Sequence, residues 1–271
     1  MATVTYAKEG TFLSTTQNIA KITLNIAKIT LNRPEALNAF SPELIADLNE
    51  AFDKAEQDTD IRAIIVSGDG KAFSAGADLK AMSELSQEEV RNFTKAGQAL
   101  FRRIETFPKA VIAAINGYCL GGGTELSLAC DIRIAAAEIK MGLPEVSLGL
   151  IPAWGGSQRL PYLIGMSKAR EMILTGTLLS SEEALEIGLV SKVVPLDELA
   201  STASFLAAKI ADNAPIAVAE AKRSLTASRH MTIEEGNALE LEIADKLAQT
   251  EDLREGITAM REKRKPVFKG Q

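Results

Sequence analysis

The chain has 271 residues, 46% of them hydrophobic, and a formal net charge of −6 from 30 Lys+Arg against 36 Asp+Glu. That composition supports a sizeable core, and the lack of a long basic block argues against nucleic acid as a partner. One histidine, His230, and two cysteines, Cys119 and Cys130, leave too few ligands and bases for most zinc enzymes and Ser-His-Asp hydrolases.

The N-terminal MATVTYAKEG lacks the basic-then-apolar layout of a secretion signal, and no run of about 18 apolar residues occurs, so a cytoplasmic location without a membrane span is expected. Residues 18–31 repeat a heptad, NIAKITL-NIAKITL, whose β-branched alternation suits a strand or hairpin. Strand side chains alternate with period two, and seven is odd. A simple extension would therefore put Ile29 and Leu31 on the opposite face from Ile22 and Leu24, so a bend or bulge is expected between the copies. The duplication itself implies no function. A turn, NRPEALNAF, leads to a helix that opens with a Ser41 cap and Pro42 at its first position and carries apolar residues at 44, 45, 48 and 52. IRAIIVSG (61–68) reads as a short buried strand, GKAFSAGADL (70–79) as a glycine-containing loop entering a helix, and 86–107 as a long amphipathic helix.

Residues 109–115 form a second buried strand, followed by GYCLGGGTELSLACD, a third strand DIRIAA (131–136) and the loop MGLPEVSLG. Cys119 and Cys130 lie in apolar stretches and read as buried free thiols of a reducing compartment. Beyond about residue 165, segments 167–175, 181–188, 197–212, 215–228, 232–249 and 251–264 read as helices, and only SKVV (191–194) as a strand. His230 falls in a polar helical region and is expected at the surface. Strands alternating with helices, then a helical tail, imply an α/β core over 1–195 and a helical C-terminal region over 196–271 that packs on neighbours.

Two segments, AIIVSGDGKAFSAGADL and VIAAINGYCLGGGTEL, share a strand, glycine-loop, helix layout. Each delivers backbone N–H groups at a helix start, where they have no intrahelical partner and the helix dipole adds positive potential. Two such ends brought together could hold an oxygen that turns negative during reaction, while two ordinary strand-to-helix turns would look the same. A dinucleotide fingerprint fits poorly: Gly121 and Gly123 match its start, but Leu126 stands where the third glycine belongs. Glu125 lies in the first turn of its helix and Glu145 follows Pro144, 20 residues on, which is about the path needed to return a loop to the helix start. Paired carboxylates can divide acid and base duties, although one complementing a dipole and one solvated in a loop would also satisfy this spacing.

The segments LNRPEALNAF, KAFSAGADLK, VIAAINGYCLGGGTELSLACDIRIA, GLPEVSLGLIPAWGGSQRLPYLIG, ALEIGLVSKVV and MREKRKPVFKG together resemble enoyl-CoA hydratases of the crotonase superfamily, from about residue 25 onward. The resemblance implies a spiral of ββα repeats with a C-terminal helical trimerisation region, assembled as a homotrimer or a dimer of trimers. It implies an acyl-CoA substrate, with coenzyme A part of that substrate and no metal or redox cofactor. It places oxyanion donors at the N–H groups of Ala77 and Gly122. It makes Glu125 the base toward water at C3 and Glu145 the acid toward C2. It lays the substrate along Ala75, Asp78, Leu79 and Trp154, with CoA phosphates met by Lys71, Lys80 and Lys263; a solvated surface lysine is the alternative for each of the three.

Three departures from the family pattern matter. Glu35 follows the N-R-P turn where many members carry a basic residue. Leu143 replaces a common glutamine. Ala153-Trp154 replaces a small Gly-Ala pair, and Trp154 either faces the acyl pocket or packs outward. The rival readings are hydration of a branched or carboxylated enoyl-CoA such as methylglutaconyl-CoA, and enoyl-CoA isomerisation, which generally manages with one of the two glutamates. Outside these chemistries stand a non-catalytic RNA-binding relative, against which the acidic balance weighs, and a purely structural helical module.

Overall fold

The structure, a computed structural model, describes residues 2–8 and 25–271 together with the backbone of residues 11–15 and 18–22. In chain order, β1 (Val4–Lys8), β2 (Thr11–Thr15), β3 (Asn18–Ile22) and β4 (Ile26–Leu31) precede α1 (Pro42–Gln57). Then come β5 (Ala63–Gly68), β6 (Ala72–Ser74), α2 (Leu79–Ser83) and α3 (Gln87–Glu105), followed by β7 (Ala110–Ile115), β8 (Tyr118–Leu120) and α4 (Gly122–Ala129). β9 (Ile132–Ala136) and β10 (Lys140–Gly142) lead through a 3-10 turn to α5 (Gly156–Thr175). Next are β11 (Leu178–Ser180), α6 (Ser181–Glu186) and β12 (Lys192–Val194), and the helices α7 (Leu196–Ala211), α8 (Pro215–Ala227), α9 (Ile233–Ala248) and α10 (Glu251–Glu262) close the chain.

The order β5-β6, β7-β8, β9-β10, each pair followed by helix, is the expected ββα repeat. The first strand of each pair joins a six-stranded sheet, order β1-β4-β5-β7-β9-β12, and the second joins a four-stranded sheet, order β11-β10-β8-β6. Within the large sheet, β4 to β12 run parallel and β1 closes the edge antiparallel. The all-buried pattern of β7, AVIAAI, is what a parallel strand covered on both faces requires. α7 lies across β5, β7 and β9 on one face.

The long helices form where local chemistry favours them. Ser41 Oγ accepts the Leu44 N–H at the start of α1, as expected. A reciprocal Ser86–Glu89 capping box opens α3, which buries Phe93, Gly97, Leu100, Phe101 and Ile104 along one stripe. Gly97 sits mid-helix, where glycine costs about 1 kcal/mol relative to alanine; the site described below supplies its reason. α8 is fastened to the core by Lys222, whose Nζ donates to Asp131 Oδ2 at 2.7 Å and to the carbonyls of Ile104 and Lys109.

Several expectations are corrected. The three-residue strands β6, β8 and β10 occupy stretches read as loops, and β11 adds a second strand to the C-terminal part where only SKVV was expected. Three residues show no alternation to read. α5 begins at Gly156 rather than 167, because Pro161 and Gly165 look like breakers; the helix does break at Gly165, whose φ is 78°, and resumes. The heptad copies form separate strands, β3 in a hairpin with β2 and β4 inside the large sheet, while residues 23 and 24, where the bend was expected, lie outside the described residues.

Candidate active site

The two sheets bring the two glycine loops side by side. β6 and β8 are parallel neighbours, so the loops leaving them, 75–78 and 121, meet before entering α2 and α4. Gly121 has φ 51° and ψ −123°, a backbone region open mainly to glycine, and its N–H donates to Gly142 O at 2.9 Å. A Cβ on Gly123 would stand 2.2 Å from Ser74 O, so no other residue lets the loops close this far.

Two backbone N–H groups at this junction are left without an acceptor by the local pairing. Phe40 bridges in parallel to Ala77 through the Gly76 carbonyl and the Asp78 N–H on either side, which turns the Ala77 N–H away from Phe40. Gly122 is the first residue of α4, so its N–H has no intrahelical acceptor. Ala77 and Gly122 both line a cavity of about 150 Å³, together with Ala75, Leu79, Glu125, Glu145 and Trp154. Seven of the residues singled out from the sequence therefore converge.

Glu125 is 2% exposed. Its Oε1 accepts two backbone N–H bonds, from Trp154 and Gly156, each 2.8 Å. Burial nevertheless pushes its carboxyl up to about 7; the Gly156 and Trp154 donors oppose the rise and the charge of Glu145 adds to it. Glu145 opens the 3-10 turn 145–148, and both of its carboxylate oxygens are buried without a hydrogen-bond partner. An ideal Cβ on Gly121 would lie 3.3 Å from its Oε1, so the carboxyl rests against the glycine run. Burial raises its pKa as well. Two carboxyls held above the usual range can share one proton, leaving one acid and one base.

A second buried acid lies behind the loop that carries these donors. Arg159 of α5 donates to both oxygens of Glu105 on α3, at 3.1 and 3.0 Å, and through Nη1 to the Trp154 carbonyl at 2.9 Å. Arg102 and Arg229 also reach Glu105. Burial alone would raise Glu105, but the guanidiniums outweigh it and hold the carboxyl below its usual range. Gln98 Nε2 ties the Ala153 carbonyl to α3 at 2.7 Å. The segment 153–156 is thus anchored from behind while it grips Glu125 in front.

Other candidates lie elsewhere. Asp78 caps α2, accepting the Ala81 N–H, and pairs with Arg33 at 3.1 Å instead of lining the cavity. Lys71, Lys80 and Lys263 are exposed and also outside the cavity lining. Leu143 is buried away from it, whereas Trp154 lines it and is buried as well. Val90, Phe93 and Thr94 of α3 supply a wall that sequence reading missed, because the helix looked like an ordinary core element. Glu105 and Arg159 were also missed; a lone arginine between Gly-Gly and Leu-Pro was the available signal. His230 is exposed and both cysteines are buried and unpaired, with thiols pushed up to about 12 by burial, so neither offers a thiolate near neutral pH.

A family model described as enoyl-CoA hydratase/isomerase matches residues 21–271. A short-chain-enoyl-CoA hydratase from Clostridium acetobutylicum is 43% identical over 234 residues, covering 86% of this chain and 90% of that protein. A crotonyl-CoA hydratase from Syntrophomonas wolfei is 40% identical over 237 residues, covering 87% of this chain and 91% of its own length. Among solved structures, an enoyl-CoA hydratase from Bacillus anthracis superposes with a TM-score of 0.90 at 42% identity, covering 94% of this chain and 99% of that one.

Proposed function

This chain belongs to the enoyl-CoA hydratase/isomerase family, and from that premise we infer that it is an enoyl-CoA hydratase, adding water reversibly to a 2-enoyl-CoA to give a 3-hydroxyacyl-CoA. The observation that carries the reading is that Glu125, Glu145, Ala77 and Gly122 all line one cavity. The thioester oxygen sits between the two N–H groups, which stabilise the negative charge it gains in an enolate-like transition state. Such a donor is worth about 3–4 kcal/mol where one has been removed from an oxyanion hole.

Water lies between the two carboxyls. Glu125 takes a proton from it as oxygen bonds to C3, and Glu145 delivers a proton to C2. The two N–H donors on Glu125 oppose the burial that raises it to about 7, so that it can still ionise near neutral pH as a base needs. Burial outweighs the lowering effect of Glu145's own backbone N–H and raises its carboxyl, which helps it keep a proton to give. In dehydration the roles reverse. The chemistry calls for no cofactor beyond the CoA of the substrate. The presence of both glutamates supports hydration over isomerisation.

In this reading residues 1–195 form the catalytic core and 196–271 an assembly region, in a homotrimer or a dimer of trimers. Apolar side chains left exposed on the C-terminal helices, such as Leu225 at 73% and Ile233 at 76%, support it. CoA phosphates meet lysines outside the cavity, Lys80 of α2 first among them because it directly follows the oxyanion loop. The unpaired cysteines suit a cytoplasmic enzyme, and no described helix is long and apolar enough to cross a membrane. The direct test is incubation with crotonyl-CoA. Loss of the enoyl ultraviolet absorbance with formation of 3-hydroxybutyryl-CoA is expected; an unchanged spectrum would refute the activity.

A further inference from the structure

Trp154 is a buried wall of the cavity. Its indole is 5% exposed and stands edge-on to Phe40, Phe93 and Phe101, with ring centroids 5.3, 5.2 and 5.5 Å away. Two glycines make room for it. A Cβ on Gly97 would fall 2.4 Å from Trp154 Cε2, and one on Gly122 would fall 2.5 Å from Cζ3. The unfavourable mid-helix glycine of α3 is therefore a notch for the indole, which fills the space between α3 and the start of α4. The ring is held by the three phenylalanines and the two glycines packed around it, and its backbone by the bonds to Glu125 and Arg159. What remains is about 150 Å³. That is on the order of five water volumes and below the ~300–1,000 Å³ of ordinary small-molecule pockets.

We propose that Trp154, seated in the Gly97 notch, closes one end of the acyl pocket and restricts this enzyme to short enoyl-CoA substrates of about four carbons. The proposal rests on the hydratase reading. A four-carbon acyl group places C3 beside the two carboxyls with only a methyl group beyond it. An eight-carbon chain would need the volume that the indole holds.

The test measures kcat/KM of the wild type, Trp154→Leu and Trp154→Phe on crotonyl-CoA, 2-hexenoyl-CoA and 2-octenoyl-CoA, with cooperative thermal melting as the check on folding. The wild type should favour crotonyl-CoA over 2-octenoyl-CoA by at least about tenfold, since pockets discriminate added methylenes on that scale. Trp154→Leu should move the octenoyl-to-crotonyl ratio upward by at least about tenfold, with Trp154→Phe moving it less in the same direction. If Trp154→Leu does not fold, the phenylalanine variant carries the test. Gly97→Ala should push the indole into the cavity and lower crotonyl-CoA turnover. Equal use of all chain lengths by the wild type, or an equal loss on all three substrates in the folded variants, would overturn the role of Trp154 while leaving the hydratase reading standing. Failure of the wild type to hydrate any of the three would overturn that reading itself.

Discussion

Two groups of buried acid flank the segment 153–159 and are treated in opposite ways. Glu105 receives Arg159 on both oxygens and two further arginines, and its carboxyl is held below the usual range. Glu125 and Glu145 receive two backbone N–H groups between them and no cation, and both are pushed up. The Trp154 peptide joins the groups, its N–H facing Glu125 and its carbonyl facing Arg159. Charge is compensated on the side that holds the loop and left largely uncompensated on the side proposed to perform the chemistry. The difference is the one expected between a structural acid and the reactive pair proposed above.

The comparison predicts five effects, in falling order of size. Glu105→Gln breaks a buried pair and leaves Arg159 uncompensated, so denaturant unfolding should show a loss of about 3–5 kcal/mol. Glu125→Gln should do the reverse. A carboxyl raised to about 7 binds more protons folded than unfolded between its usual value and that point, so its stability contribution is present at low pH and lost as pH rises through about 7. The glutamine variant escapes that loss and should be more stable than wild type by about 2–4 kcal/mol at pH 8, with little difference near pH 4. Next, kcat/KM should be bell-shaped, falling on the alkaline side as the pair loses its last proton near pH 7 and on the acidic side once both carboxyls are protonated. In Glu145→Gln a like charge is gone, so the remaining ionisation should move to lower pH. The smallest effect belongs to Asp78→Asn. Asparagine keeps the cap and loses only the partly exposed Arg33 pair, so chemical denaturation should register less than about 1 kcal/mol.

Legibility in the sequence followed length and locality. α1 and α3 were readable because Ser41-Pro42 marks the start of the first and amphipathic apolar stripes run through both. β5 and β7 were readable as short apolar runs. The members of the smaller sheet were not, since three residues carry no period, and α5 was half lost because Pro161 and Gly165 resemble loop residues. The candidate site was legible where it is local: the glycine run announces itself and Glu125 follows at once. It was not legible where it depends on distant partners. Whether Trp154 faced inward stayed open because its notch, Gly97, belongs to another helix. Glu105 looked like the end of an amphipathic helix until Arg159 and Arg229 arrived from two other elements.

The central claim is that Glu125 and Glu145 act on one water as a unit. The most direct measurement is crotonyl-CoA hydration by the wild type, Glu125→Gln, Glu145→Gln and the double variant, each confirmed as folded. Each single change should lower kcat by at least about 10²-fold, and the double variant should lose little more than the worse single one, because either loss alone disables the pair. A near-normal rate in either single variant, or losses that simply multiply in the double, would contradict the account.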